Sequence, residues 1–365
     1  MTCSEFKTQY QIRLNPQQEA AVRQVDGPVL LLAVPGSGKT TVLVTRLGYM
    51  IYCKGIRPEN ILTVTYTVAA TRDMKARFVR IFGEEQADKL TFRTINGLCA
   101  VAIHHYARTK GTQPFALADD EAQLNAVVRE LLAKGGGGYP PDQQVKEART
   151  QITYCKNMMF SDADVEARQV DGMDFPSVYK GYQAFLLKHR LMDFDDQMVF
   201  TYRIFRQHPD ILAHFQHRWP YLCVDEAQDT SKIQHAILRL LAAKSRSIFM
   251  VGDEDQSIYG FRAAWPQALL EFDQVWPGAK VLMMETNYRS TKSIVEAADS
   301  FIQRNGSRRP KHMRTDNPQG APIRRVALAD YNRQYNYLLK VAQSCKEQTA
   351  VLYRNNDSAL PLIDL

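Results

Sequence analysis

No element constrains this chain more than residues 29–40, VLLLAVPGSGKT. Its first half, VLLLAV, is apolar throughout, as expected of a strand buried on both faces of a parallel sheet. A turn carrying Gly36 and Gly38 follows, then Lys39 and Thr40, then TVLVTRLGYMI, which reads as a helix. A strand that feeds a glycine turn and a helix start aims backbone N–H groups at an anion held at the positive helix end. The spacing is that of G-x-x-x-x-G-K-[ST], with Ala33 in the first glycine position. The phosphate-binding segment is therefore expected to comprise Pro35, Gly36, Ser37, Gly38, Lys39, Thr40 and Thr41. Pro35 itself has no N–H to donate.

Three further runs, ILTVTY, YLCVDE and SIFMVGD, are short, apolar and followed by polar or glycine-bearing turns. Helix-like segments lie between them, which is the α/β signature of a parallel sheet. YLCVDEAQDT supplies what a phosphate loop needs next. Asp225, at the end of an apolar strand, is placed to hold Mg²⁺ through water beside the Thr40 hydroxyl. Glu226 is the candidate base for an attacking water, and Lys39 would meet the β- and γ-phosphates. ATP hydrolysis is the chemistry this set predicts. Residues 105–192 read differently: DDEAQLNAVVRELLAK is an amphipathic helix with an acidic start, GGGGYPPD is a loop, and no strand-like run occurs. That region is expected to be a helical insertion. After VWPGAK, the run VLMME is expected to open another α/β unit extending to the C-terminus.

The 365 residues suggest two or three domains, and 45% hydrophobic with 23% charged residues describe a globular chain. The formal net charge of +7 is compatible with a polyanionic partner. MTCSEFKTQYQIR has no apolar h-region, and no apolar run approaches the roughly 20 residues of a membrane helix. The six cysteines show neither CxxC nor zinc spacing, so they read as reduced thiols of a cytoplasmic protein without a metal cluster.

Further stretches carry a family resemblance. LNPQQEAAV, ILTVTYTVAATRDMKAR, TFRTINGLC, FMVGDEDQSIYGFRAA and METNYRSTKSI, in that order around the phosphate loop, resemble the motifs of superfamily 1 DNA helicases of the UvrD/Rep/PcrA type. The resemblance implies a RecA-like P-loop NTPase domain formed by 1–104 and 193–278, a helical insertion at 105–192, and part of a second RecA-like domain at 279–365. It implies that Gln18 pairs with adenine, that Gln256 senses the γ-phosphate, and that Tyr288 stacks on adenine. Arg289 would reach the γ-phosphate from the opposite wall of the cleft. Single-stranded DNA would meet Tyr66, Thr67, Arg93, Tyr259, Phe261 and Arg262. Tyr66 stands where the family usually has phenylalanine, Thr67-Val68 where it has asparagine-lysine, Arg93 where it has histidine, and Phe261 where it often has tryptophan. LMDFDDQMVF resembles the acidic segment closing the insertion, with Asp195 and Asp196 read as helix-capping residues. AVLYRNN resembles the family's next strand, with Arg354 structural or near the DNA path.

The family's chains continue with a second insertion and motifs V and VI, of which this sequence shows no match. The chain is thus expected to be an N-terminal portion or truncated form, monomeric, acting on single-stranded DNA or a junction. By resemblance movement would be 3′ to 5′, with weak or absent unwinding by this chain alone. Two other functions use the same residues: a DNA-dependent ATPase that translocates without parting strands, and a regulatory module that only binds nucleotide and DNA. A general base and an arginine finger, Glu226 and Arg289, argue against the second.

Overall fold

The computed structural model describes residues 1–136, 138–354 and 358–363. Its strands are β1 (Val29–Ala33), β2 (Ile61–Thr65), β3 (Thr91–Thr94), β4 (Ala116–Leu117), β5 (Leu191–Met192), β6 (Tyr221–Val224), β7 (Ser247–Gly252) and β8 (Lys280–Met284). Six of them form one parallel sheet in the order β3-β2-β6-β7-β1-β8. The unbroken apolar run of β1 has the expected cause. Leu30 and Leu32 face one core together with Leu98, Phe215 and Ile237, while Leu31 and Ala33 face a second core with Leu43, Leu47 and Phe78. All five β1 residues are buried, so alternation of polar and apolar residues has no place in it.

The sequence reading sends VLMME to a separate unit from residue 279. Instead, β8 pairs with β1 in register from Val29↔Lys280 to Ala33↔Met284 and forms the edge of the same sheet. Its side chains serve both cores, Val281 and Met283 on one face and Leu282 and Met284 on the other. The compact unit accordingly runs from Met1 to Pro318, and a second begins at Gln319. In that second unit a helix, Tyr331–Ser344, starts where the Asp330 carboxylate accepts from Arg333 N–H at 2.8 Å. Of AVLYRNN, residues 350–356, expected as a strand, residues 350–354 are not in one and 355–356 lie outside the described residues. Among the described residues of this unit there is no other strand, and a lone strand leaves its backbone polar groups unpaired.

The region read as an insertion, 105–192, has a hydrophobic core of its own. Helices Glu121–Gly136, Asp142–Asn157 and Phe175–Lys188 bury Leu124, Val128, Val145, Ile152, Phe175 and Tyr182 together. The helix predicted from Asp119 starts at Glu121, because the Asp120 carboxylate accepts from Ala122 and Gln123 N–H. Contrary to the absence of strands expected there, β4 and β5 pair over two residues, Ala116↔Leu191 and Leu117↔Met192, and tie the entry of the insertion to its exit. At that exit Asp193 caps helix Phe194–Gln207 in a capping box with Asp196. Lys156, nearly fully buried, reaches Asp193 and Asp196 at 2.7 and 2.8 Å. Thr153 Oγ and Asn157 Nδ2 donate to Asp195 at 2.8 and 2.7 Å. The acidic run therefore serves the junction, but the cap is Asp193 with Asp196 as its box partner, and Asp195, read from the sequence as a cap, instead accepts from the insertion helix.

Candidate nucleotide and nucleic-acid site

The candidate residues gather at the C-terminal ends of the parallel strands, where the loops of open α/β sheets bind their ligands. After β1 the chain turns through Gly36 (φ +70°) and Gly38 (φ +88°), both in the left-handed region that glycine enters freely. A Cβ on Gly36 would lie 2.8 Å from Arg289 Cβ and 3.0 Å from Asn287 Nδ2. Ser37 points its hydroxyl inward, donating to Val34 O at 2.7 Å. Its contribution to an anion is limited to backbone. Helix Lys39–Tyr52 begins at Gly38 with no side-chain cap on its leading N–H groups, as an anion-binding helix start requires. Thr40 is half-buried and Thr41 exposed at that start.

Across from it, β6 ends at Val224 and presents Asp225 and Glu226. Lys39 Nζ lies 2.7 Å from Glu226 Oε2. Glu226 holds the left-handed backbone at φ +48°, uncommon for a side-chain-bearing residue and a local strain that turns its carboxylate toward the loop. Asp225 is buried, with one oxygen accepting from Glu226 N–H at 3.0 Å. Burial and the neighbouring Glu226 push its carboxyl up to about 6, against the pull of Lys39. Asp229 is pushed to about 6 by the same two causes, again opposed by Lys39. The donor set fits Mg²⁺: a carboxylate and a hydroxyl, both hard oxygens. Thr40 and Asp225 are the residues that would hold it.

Three side chains without a sequence-stated role organise this site. Gln228, in the DEAQD run, donates from Nε2 to Glu226 Oε2 at 2.8 Å, and its Oε1 accepts from Asp253 N–H at 3.1 Å. It thereby links the end of β6 to the loop after β7. A Cβ on Gly252 would come within 2.6 Å of Gln228 Oε1, so a glycine keeps that approach open. Asn287, in TNYRS, donates from Nδ2 to Pro35 O at 2.8 Å, and its Oδ1 accepts from Arg289 and Ser290 N–H. Asn15 donates from Nδ2 to Tyr288 Oη at 2.7 Å. All three stand inside quoted motifs, Asn15 in LNPQQEAAV, but nothing in the sequence shows which loops their amides join.

Gln18 is buried with both ends of its amide engaged: Oε1 accepts from Asn15 N–H at 3.0 Å and Nε2 donates to Ser37 O at 2.9 Å. Its side chain thus braces the phosphate loop. Gln256 Nε2 donates to Asp253 Oδ2 at 2.6 Å. Arg289 differs most from the expectation of an opposite wall. Its turn follows β8 of the same sheet, and Tyr288 N–H donates to Gly36 O at 3.0 Å. Arg289 and the phosphate loop share one wall because β8 pairs beside β1.

The expected DNA contacts separate into a cluster and two outliers. Tyr66 and Tyr259 stack at 5.9 Å between ring centroids with planes 18° apart, and Tyr259 meets Phe261 at 6.0 Å. The Arg262 guanidinium lies 5.6 and 5.5 Å from the Tyr259 and Phe261 centroids. Tyr66, Phe261 and Arg262 also line a cavity of about 1000 Å³ shared with Asp229 and, from the insertion, Lys146 and Arg149. Thr67 instead caps helix Val68–Phe82, its Oγ accepting from Ala70 N–H. Arg93 stands on edge strand β3, in register with Val64.

Residues 14–277 match the UvrD/REP helicase N-terminal domain, and residues 282–363 match the UvrD-like helicase C-terminal domain. The chain belongs to the UvrD/REP helicase family. Among its relatives, the ATP-dependent DNA helicase PcrA of Staphylococcus epidermidis is 35% identical over 354 residues, which is 94% of this chain and 48% of that protein. The PcrA of Staphylococcus aureus is 32% identical over the same length. This UvrD/REP family chain thus spans about half the length of the curated relatives it matches. No helix among the described residues is long and apolar enough to cross a membrane.

Proposed function

We propose that this chain is the ATP-hydrolysing and DNA-binding portion of an ATP-dependent DNA helicase, acting on single-stranded DNA or a single-strand junction in the cytoplasm and moving 3′ to 5′. The observation that carries this reading is one continuous site: the Lys39–Glu226 pair at 2.7 Å, joined through Gln228 and Asp253 to the loop that carries Gln256 and the Tyr259–Phe261 aromatics. The domain plan that goes with it has residues 1–104 and 193–278 as the first RecA-like body, extended by β8. Residues 105–192 are the insertion, and the chain beyond Pro318 belongs to the second RecA-like domain.

In this mechanism Tyr288 stacks on the adenine, Gln18 pairs with the adenine edge by giving up its amide bonds to Asn15 and Ser37, and the loop from Gly36 to Thr41 surrounds the phosphates. For ATP to enter, Lys39 leaves Glu226 and turns to the phosphates, which frees the Glu226 carboxylate to accept a proton from the attacking water. Mg²⁺, when bound, neutralises phosphate charge. Gln256 and Arg289 then read the γ-phosphate from two loops of one wall. Tyr66, Tyr259 and Phe261 offer π-faces to unstacked bases of any sequence, as a protein that moves along DNA needs.

ATP turnover with and without single-stranded DNA tests the proposal on the natural chain, Lys39→Ala and Glu226→Gln. Turnover that rises with DNA and falls by about 10²–10⁴-fold in Glu226→Gln is the expected result. Turnover indifferent to both DNA and Glu226→Gln would remove the motor reading, and no turnover at all would leave a binding module.

A further inference from the structure

Behind the Gln256 turn lies a charge cluster of which the reading above uses only the Asp253 N–H. Asp253, Glu254 and Asp255 follow β7 in sequence, and one cation answers all three. Lys311 Nζ lies 3.1 Å from Asp253 Oδ1, 2.6 Å from Glu254 Oε1 and 2.8 Å from Asp255 Oδ2, with its side chain 1% exposed. Arg308 Nε lies 3.1 and 3.0 Å from the two Asp255 oxygens. Arg309 N–H donates to Glu254 Oε1 at 2.9 Å, and its guanidinium holds Leu269 O, Leu270 O and Asp273. Burial would strip the proton from Lys311, but the three carboxylates outweigh it and hold its basicity above the ordinary value. An ammonium in this setting stays charged, and against the effect of burial it joins Arg308 in holding the Asp255 carboxyl below its ordinary value.

Asp253 is the relay to the site. Its second oxygen, Oδ2, accepts from Gln256 Nε2 at 2.6 Å, and its N–H donates to Gln228, which holds Glu226. The other end of the basic segment reaches the Arg289 turn: Arg314 N–H donates to Glu285 O at 2.9 Å and Asn287 N–H to Arg314 O at 2.7 Å. One stretch, Arg308–Arg314, therefore touches both loops that face the γ-phosphate.

We propose that Lys311 is a positioning residue for γ-phosphate recognition: by holding Asp253 in place it fixes the Gln256 amide, and its segment keeps the Gln256 and Arg289 loops in register. The proposal rests on the reading of Gln256 and Arg289 as phosphate-facing groups. It differs from a structural role in what it affects. A purely structural lysine would change stability and leave the preference for a triphosphate over a diphosphate intact.

The test compares binding of ADP and of a non-hydrolysable ATP analogue. In Lys311→Met, affinity for the ATP analogue falls by about tenfold, the worth of one charge-assisted hydrogen bond, while ADP affinity stays within about twofold. Lys311→Arg, which keeps the charge, recovers part of the preference. Lys311→Met leaves buried carboxylates without their cation, so Lys311→Met/Glu254→Gln is measured beside it. Amide exchange on the natural chain is independent of any variant. The ATP analogue, and not ADP, should protect residues 255–257 and 308–312 together. Unchanged triphosphate preference in the folded variants, or protection of 255–257 without 308–312, overturns the proposal. A natural chain that binds neither nucleotide instead overturns the ATPase reading beneath it.

Discussion

Lys39 and Glu226 neutralise each other at 2.7 Å, so a nucleotide bound as proposed would have to compete with an ion pair for its lysine. Glu226 is about two-fifths exposed, and pairs of that kind are worth little. Glu226→Gln keeps an acceptor for Gln228 and removes the competitor. It should tighten nucleotide binding by about 0.2–1 kcal/mol, up to about fivefold, even as hydrolysis collapses. Calorimetric titration with a non-hydrolysable analogue checks this, and weaker binding in the variant would mean that the pair does not oppose nucleotide. Gly36 makes a second residue-scale case. Its φ of +70° and the 2.8 Å approach that a Cβ would make to Arg289 Cβ leave an alanine no relaxed position. Neither neighbour is the free end of a flexible side chain, so Gly36→Ala is expected to cost about 1–3 kcal/mol in urea denaturation. It should also weaken nucleotide binding, since the Tyr288 N–H to Gly36 O contact moves with it.

Helix Phe194–Gln207 and the insertion helix Asp142–Asn157 meet through carboxylates, and one of them is held against its preference. Burial and the neighbouring Asp193 push the Asp195 carboxyl up to about 6, although Lys156, Thr153 and Asn157 pull the other way. Between about pH 4 and 6 the folded chain then retains a proton that the unfolded chain has released, so stability falls as pH rises through that window. Asp195→Asn removes the titration while Lys156 keeps Asp193 and Asp196. Urea midpoints should show the variant more stable by about 1–2 kcal/mol at pH 7.5, with the gain vanishing near pH 4. A gain equal at both pH values would assign the effect to packing. The same elements mark how far sequence reached. Apolar runs buried on both faces identified β1, β2, β6 and β7, and an acidic start identified the first helix of the insertion. The run VLMM was read as a strand and assigned to the wrong sheet, because its pattern is the same beside β1 as at the start of a new domain. β4 and β5, two residues each, are too short to show a period. Lys39, Asp225 and Glu226 were legible because their motifs imply a strand and turn. Lys311 was not: in SRRPKH it reads as solvated basic surface, and only the fold buries it against Asp253, Glu254 and Asp255.

Across the whole molecule, the sheet's C-terminal edge collects the phosphate loop, the acidic pair and an aromatic cluster, while the chain carries a net charge of +7. On the proposed reading, charge and stacking would make separable contributions to DNA binding, and each has its own signature. Arg262, exposed among the aromatics, is positioned to meet phosphate. Arg262→Ala should lower the slope of log affinity against log salt by about 0.7, the share of one single-strand phosphate. Tyr66→Ala and Tyr259→Ala should leave that slope unchanged and weaken oligothymidine binding at every salt concentration by about 1–3 kcal/mol each. The two tyrosines are stacked with centroids 5.9 Å apart, closer than the roughly 7 Å that a base sandwiched between two rings requires. DNA therefore either stacks on an outer face of the pair or parts it. If the pair acts as one platform, the double variant loses less than the two single losses combined, a coupling of about 0.5–1.5 kcal/mol. Additive losses would instead mean that each ring holds its own base. Fluorescence anisotropy with a labelled oligothymidine over a salt series measures slope and intercept together. An affinity indifferent to salt would remove the polyanion from the reading altogether.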